Sequence, residues 1–117
     1  DQLLCDGCLI STPAGSTAYN LSLRGSVIPV DAKLLALTPI SPYRPRRWRG
    51  ALLPNTVKIS LTALERKKRP VRVEADFFEL NNISRLEVEL DKNQYMNLLF
   101  DKGHDLEERI INEQFIY

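Results

Sequence analysis

The chain has 117 residues, 44% hydrophobic and 26% charged, with a formal net charge of +1; that is enough for one unstapled core and too little for two full domains. A balance so near neutrality creates no global field, so a nucleic-acid or membrane-surface role has to rest on a local patch. No stretch approaches the ~20 apolar residues of a membrane span, and the amino terminus lacks a basic-then-apolar leader, so the expected setting is cytoplasmic.

In chain order, a first strand is expected from Gln2 to Ile10. It follows Asp1 with hardly any lead-in and no initiator methionine, which reads as a segment of a larger protein. Cys5 and Cys8 form one Cys-x-x-Cys, spaced as in a redox motif or half a zinc site. With no second pair and His104 the single histidine, four zinc ligands cannot be assembled, and the cysteines read as small structural hydrophobes. Ser11 to Ser16 is a run of small, hydroxyl and turn-forming residues that predicts a tight loop. The breaker-free Thr17 to Leu23 then predicts a short helix, capped by Ser16 or Ser11 and stopped at Gly25.

Lys33 to Ile40 is an almost continuous apolar run, predicting a strand buried on both faces and ended by Pro39 and Pro42. Tyr43 to Gly50 is a basic loop, and Ala51 to Asn55 leads into a turn. Alternation at Val57, Ile59 and Leu61, at Val71, Val73 and Ala75, and at Leu86, Val88 and Leu90 predicts three half-buried strands. Tyr95 to Phe100 is a further expected strand. Asp105 to Phe115 spaces Leu106, Ile110 and Phe115 in helical fashion with acidic residues in its first turn, predicting a terminal helix. Short polar connections between strands indicate an antiparallel sheet or sandwich in a single compact unit, not βαβ units.

Asp6 to Ser22 reads DGCLISTPAGSTAYNLS. This segment resembles a signature of the NAD kinase family, written loosely as DG, four residues, TP, one residue, GSTAY. Leu37-Thr38-Pro39-Ile40-Ser41-Pro42, the arginine-bearing loop and Leu52-Leu53-Pro54 resemble that family's next block at the right distance. Arg72-Val73-Glu74-Ala75-Asp76 and the terminal Gln114-Phe115 extend the resemblance, the latter to proteobacterial members.

The resemblance implies a mainly β, antiparallel sandwich-like carboxy-terminal domain spanning residues 1–117. It also implies an upstream α/β domain and a dimeric or tetrameric assembly. The implied activity is phosphorylation of the adenosine-ribose 2′-hydroxyl of NAD to give NADP, with ATP or polyphosphate as donor and a divalent metal, Mg, neutralising phosphate charge. By the same resemblance Asp6 binds the nicotinamide-riboside end, while Ala14, Thr17, Ala18, Tyr19, Asn20, Leu21 and Ser22 line the dinucleotide pocket and Asp76 borders it. The residue types suit this: a carboxylate accepts from amides and hydroxyls, small residues admit a ligand to the backbone, and tyrosine offers an apolar face with a polar tip. Taken without the family, Asp6 before Gly7 is an ordinary turn residue, and Tyr19 an ordinary core aromatic.

The family's general base is the aspartate of Gly-Gly-Asp-Gly, and an Asn-Glu pair also contacts ligand; neither motif occurs here. The resemblance therefore implies binding residues but no catalytic base in this chain, and an inactive isolated fragment. Two departures stand out: Arg24-Gly25-Ser26 replaces a frequent Gly-Gly-Pro, and Phe77 replaces a frequent polar residue or histidine. The basic loop places Arg44, Arg46, Arg47 and Arg49 beside Tyr43 and Trp48, a composition that fits phosphate, single-stranded nucleic acid or a subunit contact. With no accompanying nucleic-acid fold motif, nucleic acid is the weakest of these readings. The alternative to an NAD kinase part is a non-catalytic β-rich nucleotide-binding or interaction domain.

Overall fold

The computed structural model describes residues 2–44, 48–95, 97–103 and 105–115. Pro45, Arg46 and Arg47 of the basic loop, and His104, lie outside the described residues. The described chain is mainly antiparallel β with two short helices, and it divides into two compact units, residues 1–55 with 94–117, and residues 56–93.

The first unit is built on a three-stranded antiparallel sheet with β2 (Leu34–Ile40) between β1 (Gly7–Ser11) and β3 (Ala51–Pro54). Leu9 opposes Thr38 and Leu35 opposes Leu53. Regular pairing begins at Gly7, later than expected; before it, Leu4 bridges Arg44 and the Asp6 N–H bonds the Ile40 carbonyl of β2. The buried centre falls where the apolar run predicts it: Leu35, Ala36, Thr38 and Pro39 of β2 are buried, and Ile28 and Ile110 complete the core.

Two expectations about this sheet need correction. Pro39 does not end β2 but lies inside it, opposite Cys8. The β2–β3 pairing spans Leu34–Leu37 only, so at Pro39 the strand has a neighbour on one side, where a residue without an N–H is tolerated. Ala51 to Pro54 is likewise a strand and not a turn lead-in. Gly50, at φ 112, returns the chain to β2: a Cβ there would stand 2.2 Å from the Leu37 carbonyl oxygen.

The terminal helix α2 spans Leu106–Gln114, with the Asp105 side chain accepting from the Glu108 N–H at 2.8 Å and Glu107 and Glu108 in its first turn. This is the expected N-terminal chemistry. Ile110 is buried, whereas Phe115, beyond the last turn, is exposed; the side chain of Leu106 lies outside the description. Tyr95 to Phe100 forms no strand among its described residues, and Tyr95, Leu99 and Phe100 are exposed. Their backbone has no ladder partner, and apolar composition alone does not make a strand.

The second unit holds two antiparallel pairs, β4 (Ile59–Thr62) with β7 (Arg85–Val88), and β5 (Val73–Ala75) with β6 (Phe78–Leu80). In the first pair Ile59 opposes Val88 and Leu61 opposes Leu86, the inward set that alternation predicts. The strand β6 was not expected from the sequence. Asp76 and Phe77 make the turn into it, with Asp76 at φ 52, a left-handed conformation that aspartate enters more readily than most residues. Glu74 and Glu79 stand directly opposite each other, and Arg72 bridges them at 3.1 and 3.7 Å. That guanidinium offsets a like-charge cross-strand pair.

Candidate functional site

Where β1 ends at Ser11, the chain turns through Thr12 and Pro13 into a 3-10 turn (Ala14–Thr17), and Ala18 links it to α1 (Tyr19–Ser22). Neither N-cap residue, Pro13 or Ala18, caps its element with a side chain, and the Thr12 hydroxyl accepts from the Gly15 N–H at 3.4 Å. The expected capping by Ser11 or Ser16 therefore fails: the Ser11 hydroxyl donates to the Thr12 carbonyl at 2.8 Å, and the Ser16 hydroxyl to the Pro13 carbonyl at 2.7 Å. Both hydroxyls close the turn that precedes the helix.

The helix ends in a Schellman arrangement: the Gly25 N–H reaches the Asn20 carbonyl at 2.8 Å, and the Arg24 N–H reaches the Leu21 carbonyl at 2.9 Å. The left-handed residue is Arg24, at φ 62, and not the expected Gly25. Gly25 is required for another reason. A Cβ there would lie 2.1 Å from the Oδ1 of Asn20.

Three buried polar side chains hold this loop from beneath. Ser16 is 0% exposed, and its hydroxyl accepts from the Ile28 N–H at 2.9 Å while donating to Pro13. Asn20 is 1% exposed, and its Nδ2 donates to the Ser16 carbonyl at 3.0 Å and to the Ser26 carbonyl at 2.9 Å. Its Oδ1 accepts from the Thr38 hydroxyl of β2 at 2.6 Å, Thr38 being 2% exposed. No buried side-chain polar atom among the described residues lacks a partner, so the network carries little desolvation penalty and fixes the loop.

The outer surface of the same loop is exposed. Ala14, Ala18, Tyr19 and Ser22 are exposed, while Thr17 and Leu21 are half-buried. Two alanines leave the backbone accessible, and Tyr19 offers a ring face and a hydroxyl. Of the residues singled out from the sequence, Asn20 alone is buried.

Asp6 is exposed, with its N–H bonded to the Ile40 carbonyl at 2.9 Å, and among the described residues no side chain bonds its carboxylate. The five residues of β1 separate it from Ser11 by about 17 Å at the rise of an antiparallel strand. Asp76 belongs to the second unit, exposed at the β5–β6 turn. Cys5 and Cys8, on either side of Asp6, are free thiols. Partial desolvation first, and the neighbouring Cys5 second, push the thiol of Cys8, which is exposed, above its ordinary pKa, which makes it a poor nucleophile.

Ser16, Gly25 and Thr38 carry the local architecture and were not among the expected site residues. A legible signal existed for Thr38, a hydroxyl inside an otherwise apolar run. Beside it, Ser26, Thr38, Arg49 and Gly50 line a shallow depression, which brings one arginine of the basic loop next to the loop's anchor. No group of three or more His, Cys, Asp or Glu side chains among the described residues could hold a metal ion, and no helix among them is long and apolar enough to cross a membrane.

Comparison with known proteins agrees with this geometry. The family model of the ATP-NAD kinase C-terminal domain matches residues 1–97. An NAD kinase of Rhizorhabdus wittichii is 56% identical over 114 residues, which is 97% of this chain and 44% of the relative. Another from Caulobacter vibrioides is 53% identical over 114 residues, again 97% and 44%, and one from Hyphomonas neptunium is 50% identical over 117 residues, 100% and 46%. The chain therefore spans a little under half the length of these curated relatives. The crystal structure of yeast NADH kinase complexed with NADH aligns with 75% of this chain and 26% of its own, at a TM-score of 0.61 and 26% identity. From its DG-to-GSTAY segment to its antiparallel sheet, the chain belongs to the ATP-NAD kinase C-terminal domain family.

Proposed function

We propose that the protein to which this chain belongs is an NAD kinase, transferring a phosphoryl group from ATP or polyphosphate to the adenosine-ribose 2′-hydroxyl of NAD, with NADP as product. The family match over residues 1–97 carries this reading. In it, the exposed face of the Ala14 to Ser22 loop receives the dinucleotide, and Asp6 accepts hydrogen bonds from its nicotinamide-riboside end.

Such a transfer is chiefly a matter of positioning and charge neutralisation. This chain supplies positioning for NAD, and the catalytic base comes from an upstream α/β domain. The described residues do not fit a resident metal site; the divalent ion of this proposal, Mg, would neutralise phosphate charge on the donor. A homo-oligomer and a cytoplasmic setting complete the reading.

The test is calorimetry of NAD with this chain alone and after mixing with the upstream half, alongside NADP formation in the presence of ATP and magnesium. Activity confined to the mixture and lost in Asp6→Ala is the expected result. A folded mixture with neither binding nor activity would refute the proposal.

A further inference from the structure

We infer that Thr38, a residue on β2 beneath the loop, is a positioning residue for NAD. The inference rests on the proposed NAD site and deepens it.

Thr38 is 2% exposed, so it does not touch a ligand on the loop surface. Its hydroxyl donates to the Oδ1 of Asn20 at 2.6 Å, and that bond fixes which end of the amide faces β2. With Oδ1 held there, both Nδ2 hydrogens face the opposite way and bind the Ser16 and Ser26 carbonyls, at 3.0 and 2.9 Å. Those carbonyls lie on the two sides of α1. One hydroxyl on the sheet thus sets the orientation of an amide that clamps both ends of the helix carrying Tyr19 and Ser22.

Removing the hydroxyl leaves Oδ1 in a buried site with no donor, an unmet group whose desolvation has to be relieved. Relief comes by turning the amide, which breaks both carbonyl bonds, or by lifting α1 to admit water. Either response displaces the Ala18-Tyr19 surface, while the sheet that carries Thr38 keeps its backbone ladder. The loss therefore falls on what the Ala18-Tyr19 surface recognises, which in the proposed function is NAD.

The experiment compares Thr38→Val and Thr38→Ser with wild type in the full-length gene product, measuring KM for NAD, KM for ATP and the melting temperature. For Thr38→Val the KM for NAD rises about tenfold, with the KM for ATP within about twofold, and Thr38→Ser returns the NAD value to within about threefold of wild type. Should Thr38→Val fail to fold, Thr38→Cys, of similar size and with a weaker donor, is measured instead and raises the KM for NAD between the two. An unchanged KM for NAD, or equal rises in both KM values, overturns the inference while the NAD kinase reading stands. A wild-type protein that does not use NAD removes that reading and this inference together.

Discussion

Gly25 and Asn20 are sterically coupled: the space a side chain would take at position 25 is filled by the Asn20 carboxamide, whose Oδ1 lies 2.1 Å from the Cβ that alanine would add. Three hydrogen bonds hold Asn20 in place. Gly25→Ala should cost about 2–4 kcal/mol, as overpacking against a buried polar network does. Urea denaturation of wild type and variant measures it, and a loss below 0.5 kcal/mol, roughly the scatter of surface substitutions, would contradict the packing described.

Gly50 is constrained by its backbone as well as by space, at φ 112 with the Leu37 carbonyl in the way. Gly50→Ala is expected to destabilise by more than ~1–3 kcal/mol, since strain and clash add. Hydrogen exchange should report the loss first in the β2–β3 amides that this residue brings together.

Arg24 occupies the left-handed position that closes α1, at φ 62. A residue with a Cβ pays about 1–2 kcal/mol there, partly offset in glycine by greater freedom of the unfolded chain. Arg24→Gly should therefore raise stability by ~0.5–1 kcal/mol. Thermal melting of the pair checks this, and a lower melting temperature in the variant would mean that Arg24 makes a compensating contact.

Asp6→Asn keeps the shape of the side chain and removes its charge. NAD binding should weaken about tenfold, the scale of one charge-assisted hydrogen bond, with the melting temperature unchanged because no side chain among the described residues bonds this carboxylate. Calorimetry with NAD gives the first quantity and a melting curve the second. A melting temperature that falls along with affinity would assign Asp6 a structural role.

Cys8 gives the expected pH dependence. Its thiol pKa is raised in the folded chain by desolvation and by Cys5, so above the ordinary thiol pKa of ~8.5 the unfolded chain binds fewer protons than the folded one. Stability attributable to Cys8 is thus fully present below that pH and declines as pH rises toward the folded value. Denaturation midpoints between about pH 7 and 10 should fall less steeply in Cys8→Ser than in wild type. Identical slopes would exclude the shift.

The sequence by itself determined what depends on local chemistry and pattern. Alternation placed Ile59, Leu61, Leu86 and Val88 on one face of a strand pair. The apolar run marked β2 as a buried strand, the acidic first turn marked α2, and the DG-to-GSTAY segment identified the family through chemistry confined to consecutive residues. Tertiary structure decided what depends on neighbours distant in the chain. Whether Pro39 ends a strand turns on where β3 stops pairing, and the apolar Tyr95 to Phe100 stays irregular because no ladder receives it. Gly25 reads as a helix stop from its neighbours alone, yet its place is set by the Asn20 amide. Asn20 reads as a ligand contact from its motif, yet its side chain points at Thr38, 18 residues away. A hydrogen bond between buried groups is specified by both partners and by the space around them, and no local pattern encodes that pairing.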